Sequence, residues 1–244
     1  MSVKMGLLDL PSPALSWLDA SLATALPSTA RIVIWGTVGA AVSMSLYWLL
    51  SPQQQLARIA IGERRLKMAM RDGGAEMADD LASAGRLLWL AITRIGLMLV
   101  PALVSAVPVV CLMTWLHTHY GHEFPPPGQK ASIRVEPAAF EGRWIAHEDR
   151  APRVDVVDDR GIVVHSVSMP APVPLIHKRV WWSFLIGNPL GYLPSAGSVE
   201  RIEINLPERR YLFVGPEWIR GWEAPFMTAL LVGSVLLKLS FRIR

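Results

Sequence analysis

The chain has 244 residues, of which 52% are hydrophobic and 18% are charged, and its formal net charge at pH 7 is +4. Soluble domains usually carry about 25% charged residues, so the composition excludes an ordinary soluble domain and indicates an integral membrane protein with a polar domain attached. Lys and Arg flanking membrane spans explain the positive charge, and no basic-aromatic cluster accompanies it, so we expect no nucleic-acid partner. The single cysteine, Cys111, excludes an intramolecular disulfide.

Residues 1–30 precede the first apolar run and contain regularly spaced leucines. Those at helical spacing are Leu15, Leu18, Leu22 and Leu26. Together with the neighbouring Trp17, they predict an amphipathic helix in the outer membrane interface, where an indole side chain is favourably placed. A floppy tail is the alternative interpretation of this segment.

Residues 31–50 form the first predicted membrane span. Its apolar part is about 19 residues long, which gives about 28 Å of helix and matches the hydrocarbon thickness of a bilayer. Gly36 and Ala40 make a small-xxx-small pair, which lets a second helix approach closely. The hydroxyl side chains of this span either line a polar groove or bond to their own helix; they are Thr37, Ser43 and Ser45.

Residues 51–87 are a polar interruption between two long apolar runs. Apolar residues at near-helical spacing on both sides of Gly73 and Gly74 predict two helices that pack as an antiparallel hairpin. The basic side chains of the hairpin are Arg58, Arg64, Arg65, Lys67 and Arg71, and the one acid between Arg58 and Arg71 is Glu63. Short loops rich in Lys and Arg stay in the cytoplasm, so the hairpin is predicted to be cytoplasmic.

Residues 88–116 form the second predicted span, which is longer than a bilayer requires. Pro101 and Pro108 each remove one backbone hydrogen bond and are expected to kink the helix. Arg94 lies near the cytoplasmic end, where it either snorkels to the inner surface or faces a wet cavity between helices.

Three histidines follow this span closely: His117, His119 and His122. Imidazole nitrogens are common ligands of zinc and copper. The spacing matches no established metal site, so the cluster is a weak candidate, and we expect neither a metal ion nor a cofactor.

Residues 117–222 are predicted to hold a β-rich extracytoplasmic domain. Residues 154–157 and 162–167 are predicted to pair as a hairpin across a four-residue turn. Residues 199–205 alternate between apolar and charged side chains, and residues 210–214 are predicted as a further strand. A small β-sandwich or curved sheet follows from this pattern.

Residues 180–194 are strongly apolar and aromatic. They are predicted to be a helix facing the domain core, a loop dipping into the outer leaflet, or a contact surface for a partner protein. The aromatic side chains proposed for an outer contact are Trp181, Trp182, Phe184 and Tyr192. The domain contains no nucleophile motif, phosphate loop or cysteine pair, so no enzymatic activity is predicted.

Residues 224–241 form the third predicted span, and residues 242–244 form a short tail. Lys238, Arg242 and Arg244 place the C-terminus in the cytoplasm, while Trp218 and Trp222 are expected at the outer interface. The sequence therefore predicts an α-helical membrane protein of the inner (plasma) membrane, with the N-terminus outside and the C-terminus inside. It has three transmembrane helices, a cytoplasmic helical hairpin and a β-rich extracytoplasmic domain.

This layout resembles the YidC-type membrane insertases, and most closely their three-span relatives. The resemblance covers residues 12–116 and 224–244, about half of the chain, and rests on topology, hairpin placement and the sequence at 52–70. An arginine on the first core span, the hallmark of bacterial members, has no counterpart here. A β-rich domain also stands where these proteins usually have a short connection.

The resemblance implies a membrane protein insertase or a membrane-chaperone-like protein. A basic hairpin would capture a client membrane protein, and a groove between spans would ease the passage of polar residues through lipid. The side chains implied for the groove are Arg94, Thr37, Ser43 and Ser45. The alternative is a non-catalytic subunit of a membrane complex, whose spans and outer domain dock on partner proteins. Membrane lipids surround the spans in both cases.

Overall fold

The computed structural model describes residues 5–71, 77–146 and 150–241. Five α-helices lie in this part of the chain: α1 (Ser12–Ala23), α2 (Ser28–Leu50), α3 (Gln53–Arg71), α4 (Met77–Tyr120) and α5 (Glu223–Phe241). The strands are β1 (Ser132–Glu136), β2 (Glu141–Ile145), β3 (Arg153–Val157), β4 (Val163–Ser168), β5 (Leu175–His177) and β6 (Arg201–Asn205).

The chain divides into two compact units. The β unit comprises Met1–Trp35 and Val110–Thr228, and the helical unit comprises Gly36–Val109 and Ala229–Arg244.

Three helices are long and apolar enough to cross a membrane, which confirms the predicted number of candidate spans. They are Ser28–Leu50, Ala84–Tyr120 and Glu223–Ser240, with mean hydropathies of 1.6, 2.5 and 1.3. Six short strands of the described residues also form a small β region, so the combination of three apolar helices with a β-rich part is confirmed as well.

Helix α4 is much longer than a bilayer is thick, and its side chains divide it into sections. The apolar segment Ala84–Tyr120 has 37 residues and is about 55 Å long. Large apolar side chains are exposed from Leu88 to Val110, over about 33 Å, whereas Trp115, Leu116 and Tyr120 are buried. The exposed section alone matches the hydrocarbon thickness of about 30 Å, and the last turns are covered by protein.

The helical unit contains close packing between α2 and α5. A Cβ added to Gly233 of α5 would lie 3.0 Å from the Cβ of Ala40, which is fully buried on α2. Gly36, one turn earlier on α2, is also buried. The missing side chain of Gly233 therefore allows the two helices to approach closely.

Helices α3 and α4 lie on either side of the predicted hairpin turn. The Gly73 and Gly74 pair proposed for the turn lies outside the described residues. Helix α4 begins at Met77 and continues without interruption to Tyr120, so the second half of the predicted hairpin and the second predicted span are one helix.

The β unit contains two antiparallel three-stranded sheets with the orders β1-β6-β5 and β2-β3-β4. Both sheets contribute to one core, which includes Val154 and Val156 of β3 and Ile202 and Ile204 of β6. Alternation on β6 places these two isoleucines inside, while Arg201 and Glu203 form an ion pair of 2.5 Å. The expected alternation in residues 199–205 is therefore confirmed.

The predicted hairpin at residues 154–167 is confirmed as β3 and β4. Asp158 organises the turn, because its Oδ1 accepts hydrogen bonds from the backbone N–H groups of Arg160 and Ile162 at 3.0 and 2.8 Å. Gly161 has a φ of +78°, a conformation that favours glycine. Turn chemistry readable in the sequence thus fixes this hairpin.

One local prediction for the β unit is wrong, and one of the three alternatives for residues 180–194 is excluded. Residues 210–214 form no strand, because the chain there turns outward into a loop that ends near Gly215 and Pro216. Residues 180–194 form no core-facing α-helix: only Trp181–Phe184 makes a 3-10 turn, and Gly187, Pro189, Gly191 and Pro194 interrupt any longer helix. Leu190 and Leu193 of this segment nevertheless join the core.

The position of the Trp222 side chain also differs from the prediction. Trp222 was expected at the outer membrane interface, but its side chain is buried beside Phe226, with ring centroids 5.9 Å apart. Trp218, four residues earlier, is 79% exposed. The first turn of α5 is therefore covered by protein, and exposed apolar side chains on α5 resume further along the helix.

Candidate functional site

Arg94 is paired with an acid of the hairpin. Its Nη1 on α4 lies 3.3 Å from Oε2 of Glu63 on α3, and the Glu63 side chain is only 15% exposed against 43% for Arg94. The sequence left two environments open for Arg94, the inner surface or a wet cavity. An ion pair with Glu63 lowers the free energy of holding either charge next to lipid.

The hydroxyl residues proposed for a groove do not gather around Arg94. The Ser43 hydroxyl donates a 2.8 Å hydrogen bond to the carbonyl oxygen of Ser105 on α4, which lies about 16 Å along the helix from Arg94. Ser45 and Thr37 lie at exposed positions of α2. Ser43 therefore links α2 to α4 by a hydrogen bond.

The bond from Ser43 lies beside a proline in α4. Pro108 has no N–H and leaves the carbonyl of Val104 without its usual helical donor, and the carbonyl of Ser105 follows directly. Side-chain hydroxyls of a neighbouring helix commonly satisfy carbonyls near a proline in membrane helices. By helix geometry the Ser105 carbonyl has the Val109 N–H as its donor, so the Ser43 bond lies next to the carbonyl freed by Pro108 and not on it.

A groove runs between α3 and the first turns of α4. Its volume is about 740 Å³, and it is lined by Gly62, Arg65, Leu66, Gly85, Arg86, Trp89 and Leu90. A Cβ on Gly62 would meet only Leu90, at 3.8 Å, and one on Gly85 would meet nothing within 4 Å. Each helix therefore contributes a glycine, an arginine and a leucine to an open apolar groove with cationic edges.

The basic residues of the hairpin are solvent-facing where their side chains are described. Arg58, Arg64, Arg65 and Lys67 are exposed on α3. The side chain of Arg71 lies outside the described part of the chain. Among the basic residues whose side chains are described, Arg65 lines the groove, and Arg86 on α4 joins it there.

A second polar cluster lies in the β unit, around the carboxylate of Asp19. Asp19 on α1 is 9% exposed and forms a 2.5 Å ion pair with Arg31 on α2. Its Oδ1 accepts hydrogen bonds from Trp35 Nε1 at 3.0 Å and from the Tyr120 hydroxyl at 2.6 Å. The Arg31 guanidinium also lies 5.4 Å from the centre of the Tyr120 ring.

The Asp19 cluster joins three helices at one end of the candidate spans. Asp19 belongs to α1, Arg31 and Trp35 belong to α2, and Tyr120 is the last residue of α4. Because a buried charge requires a partner and hydrogen bonds, this arrangement fixes α1 against α2 and α4. The polar face of α1 therefore faces protein, while Trp17 is 71% exposed.

Sequence reasoning missed Asp19 and Arg31, although one signal was available. Arg31 directly precedes the first apolar run, at the end that was predicted to be outside. The positive-inside rule disfavours arginine at the outer end of a span. An acidic partner for Arg31 could therefore have been expected. Asp19 is the only charged residue between Leu10 and Arg31.

The three histidines do not converge. His119 Nδ1 lies 3.0 Å from the Trp115 carbonyl oxygen and its Nε2 lies 3.1 Å from the Ser16 hydroxyl, so both ring nitrogens have partners. His117 and His122 face each other with ring centroids 5.8 Å apart. Among the described residues, no group of three or more His, Cys, Asp or Glu side chains is arranged to hold a metal ion.

His122 follows α4 and pairs with Glu208 in an isolated β-bridge. Burial lowers its pKa below the usual value, and the nearby His117 lowers it further, while Glu208 and Glu223 act in the opposite direction. The neutral form is thus favoured in the folded protein.

The aromatic residues of the 180–194 segment take different positions. Trp181 is 81% exposed and Phe184 is 54% exposed. Trp182 and Tyr192 instead flank His177, with ring centroids 5.2 and 5.7 Å from the imidazole. Trp181 and Phe184 are therefore the most exposed of the four proposed contact residues, while Trp182, at 39% exposure, and Tyr192 also pack against His177.

The exposed turn at Trp181 is attached to the N-terminal segment. The Leu8 N–H donates to the Leu185 carbonyl oxygen at 2.9 Å, and the Gly187 N–H donates to Asp9 Oδ2 at 2.6 Å. These bonds hold the two segments together, so Trp181 and Phe184 project from a fixed base.

Comparison with protein-family models, curated proteins and solved structures finds no match to this chain. The two sites described above therefore rest on their own geometry.

Proposed function

We propose that this protein is a membrane protein insertase or a membrane-chaperone-like protein, and that the α3–α4 groove receives apolar segments of client proteins. The observation that carries the proposal is the open apolar groove with Arg65 and Arg86 at its edges. It opens on the same helix that continues as a candidate membrane span.

The groove suits a helical apolar client. Trp89 is 69% exposed at its wall, and Leu66 and Leu90 provide an aliphatic surface, so a client helix would bury apolar area that is open in the structure. The glycines at positions 62 and 85 leave room for close approach. The arginines would attract acidic residues flanking the client segment and the phosphates of lipids.

Passage from the groove into the membrane would follow α4. The exposed apolar side chains of this helix begin at Leu88 and continue to Val110. A client segment leaving the groove would thus meet a continuous apolar surface rather than water. The Glu63–Arg94 pair lies at the start of this surface and would keep Arg94 neutralised while apolar segments pass.

The test is photocrosslinking of the full chain, reconstituted in vesicles, to a newly synthesised single-span client. Probes replace Leu66 or Trp89 in the groove, and the matched control replaces Ile61, which is exposed on α3 but does not line the groove. We expect client crosslinks at the groove positions and protease-protected insertion above that of protein-free vesicles. Crosslinks no stronger than at Ile61, with insertion equal to protein-free vesicles, would refute the proposal.

The second candidate function is that of a non-catalytic subunit docked on a membrane complex. The observation that favours it is the outward projection of Trp181 and Phe184 from a turn held to the N-terminal segment. Purification in gentle detergent distinguishes the two functions. A stoichiometric partner that is lost with Trp181→Ser but kept with Ile162→Ser, an exposed apolar residue of the β3–β4 turn, would support the subunit function.

A further inference from the structure

Residues 211–220 form a closed loop that carries three of the most exposed apolar side chains of the β unit. Phe213 is 93% exposed, Val214 is 84% exposed and Trp218 is 79% exposed. Placing such large apolar side chains in water is unfavourable by an amount that grows with their area. Single exposed apolar residues are common, but three on one short loop indicate a contact surface.

The loop is firmly closed at its base. The N–H of Tyr211 donates to the Arg220 carbonyl oxygen at 2.8 Å, and the Arg220 Nε donates to the Gly215 carbonyl oxygen at 2.9 Å. Gly215 has a φ of +105°, which permits the sharp turn after Val214, and Glu217–Ile219 forms a 3-10 turn. The exposed side chains thus project from an ordered frame.

The base of the loop lies at the ends of two candidate spans. The Tyr211 hydroxyl donates a 3.0 Å hydrogen bond to the backbone carbonyl of Tyr120, the residue at which the span of α4 ends. On the other side, α5 begins at Glu223, shortly after the loop closes at Arg220. Because the candidate span of α5 begins at Glu223, three residues after Arg220, the loop lies next to the end of that span.

We propose that the 211–220 loop inserts Phe213, Val214 and Trp218 into the interface of the outer leaflet and so anchors the β unit on the lipid surface. The inference rests on the proposed membrane embedding of the spans and goes beyond client insertion. Aromatic side chains are favoured at the headgroup level, where apolar rings leave water without entering the acyl core fully. Arg210 forms a 3.6 Å ion pair with Glu217 of the loop. Arg209 precedes the loop and Arg220 closes it, and these two arginines are the cationic partners proposed for lipid phosphates.

The experiment measures the depth of single fluorescent labels in vesicles of phosphatidylcholine and phosphatidylglycerol. Cys111→Ser removes the one native cysteine, and Phe213→Cys, Ile162→Cys and Val235→Cys then provide one labelling site each in the full chain. Ile162 is the matched control on the β3–β4 turn at 60% exposure, and Val235 is an exposed residue of the α5 span. Nitroxide lipids in both leaflets make the readout independent of protein orientation.

We expect the label at position 213 to be quenched by shallow nitroxides at least twofold more than the label at position 162, and to be several-fold less accessible to aqueous iodide. The label at position 235 should be quenched by deep nitroxides. Quenching at 235 with equal iodide access at 213 and 162 would overturn the loop proposal alone. Protection from iodide at 213 without lipid quenching would also overturn it, because protein would then cover the loop. Loss of quenching at both 213 and 235 would overturn the membrane embedding as well.

Discussion

Arg31 and Asp19 form a 2.5 Å ion pair whose side chains are only 13% and 12% exposed. The pair joins the helix before the first candidate span to the start of that span. Because Tyr120 and Trp35 also donate hydrogen bonds to Asp19, the carboxylate has a complete set of partners. The cluster is therefore a structural junction, and removing Asp19 takes away the shared acceptor of Arg31, Trp35 and Tyr120.

Asp19→Ala should destabilise the protein by about 3–5 kcal/mol, because it leaves the Arg31 guanidinium buried without its counter-ion. The double variant Asp19→Ala with Arg31→Met should lose less than the two single variants combined. Thermal unfolding in detergent measures both effects. Strictly additive losses would show that the two side chains are not energetically coupled.

Ser43→Ala should lower the stability of the helical unit by about 0.6–1.7 kcal/mol, because it removes the hydrogen bond to the Ser105 carbonyl of α4. Ser45→Ala is the matched control, since Ser45 is exposed on the same helix. Chemical unfolding in mixed micelles compares the two variants. Equal stability of both would contradict a bridging role for Ser43.

Gly233→Val should separate α5 from α2 and destabilise the helical unit by about 1–3 kcal/mol, because any Cβ there comes within 3.0 Å of Ala40. Gly96→Val on α4 is the control, since an added Cβ meets nothing within 4 Å. A cysteine crosslink between Thr37→Cys and Gly233→Cys, in the Cys111→Ser background, reports proximity directly. A larger loss from Gly96→Val would argue against this packing.

Acidification from pH 7.5 to pH 5 should destabilise the β unit in part through His122. Burial lowers the pKa of His122, so the unfolded chain binds a proton near pH 6.5 while the folded protein does not. Stability is therefore present above pH 6.5 and is lost as the pH falls from there towards the lower folded pKa. His122→Gln should reduce the pH dependence of the thermal midpoint.

His165 provides the internal comparison for this experiment, because burial lowers its pKa as well. His165→Gln should also reduce the pH dependence of the thermal midpoint. The double variant should reduce it more than either single variant. An unchanged slope in His122→Gln would show that His122 titrates alike in the folded and unfolded states. Glu208 and Glu223, which act to raise the pKa of His122, are present in all variants.

Features set by local sequence were predictable. The length of the apolar runs predicted the three candidate spans, and the alternation of apolar and charged residues predicted strand β6. The β3–β4 hairpin followed from valine-rich strands around an Asp-Asp-Arg-Gly turn, since Asp158 and Gly161 act within a few residues of each other. The strand predicted at residues 210–214 does not form. The residue types there favour strands, but Phe213 and Val214 lie exposed on a loop.

The candidate sites depended on contacts between distant segments. Arg94 and Glu63 were both visible in the sequence, but their pairing required the return of α4 along α3. Ser43 was singled out for a groove, whereas packing brought the carbonyl of Ser105 to its hydroxyl. Neither contact follows from periodicity, because periodicity defines faces of helices and not their partners.

By itself, the sequence determined where the chain is apolar, where it is basic and where it turns, because these properties act over a few neighbouring residues. Only the tertiary structure decided that Asp19 meets Arg31, Trp35 and Tyr120, and that Trp222 is buried while Phe213 and Trp218 stay exposed. Burial of the Asp19 charge depends on Tyr120, which lies 101 positions away in the sequence. Their arrangement is set by the packing of the whole unit.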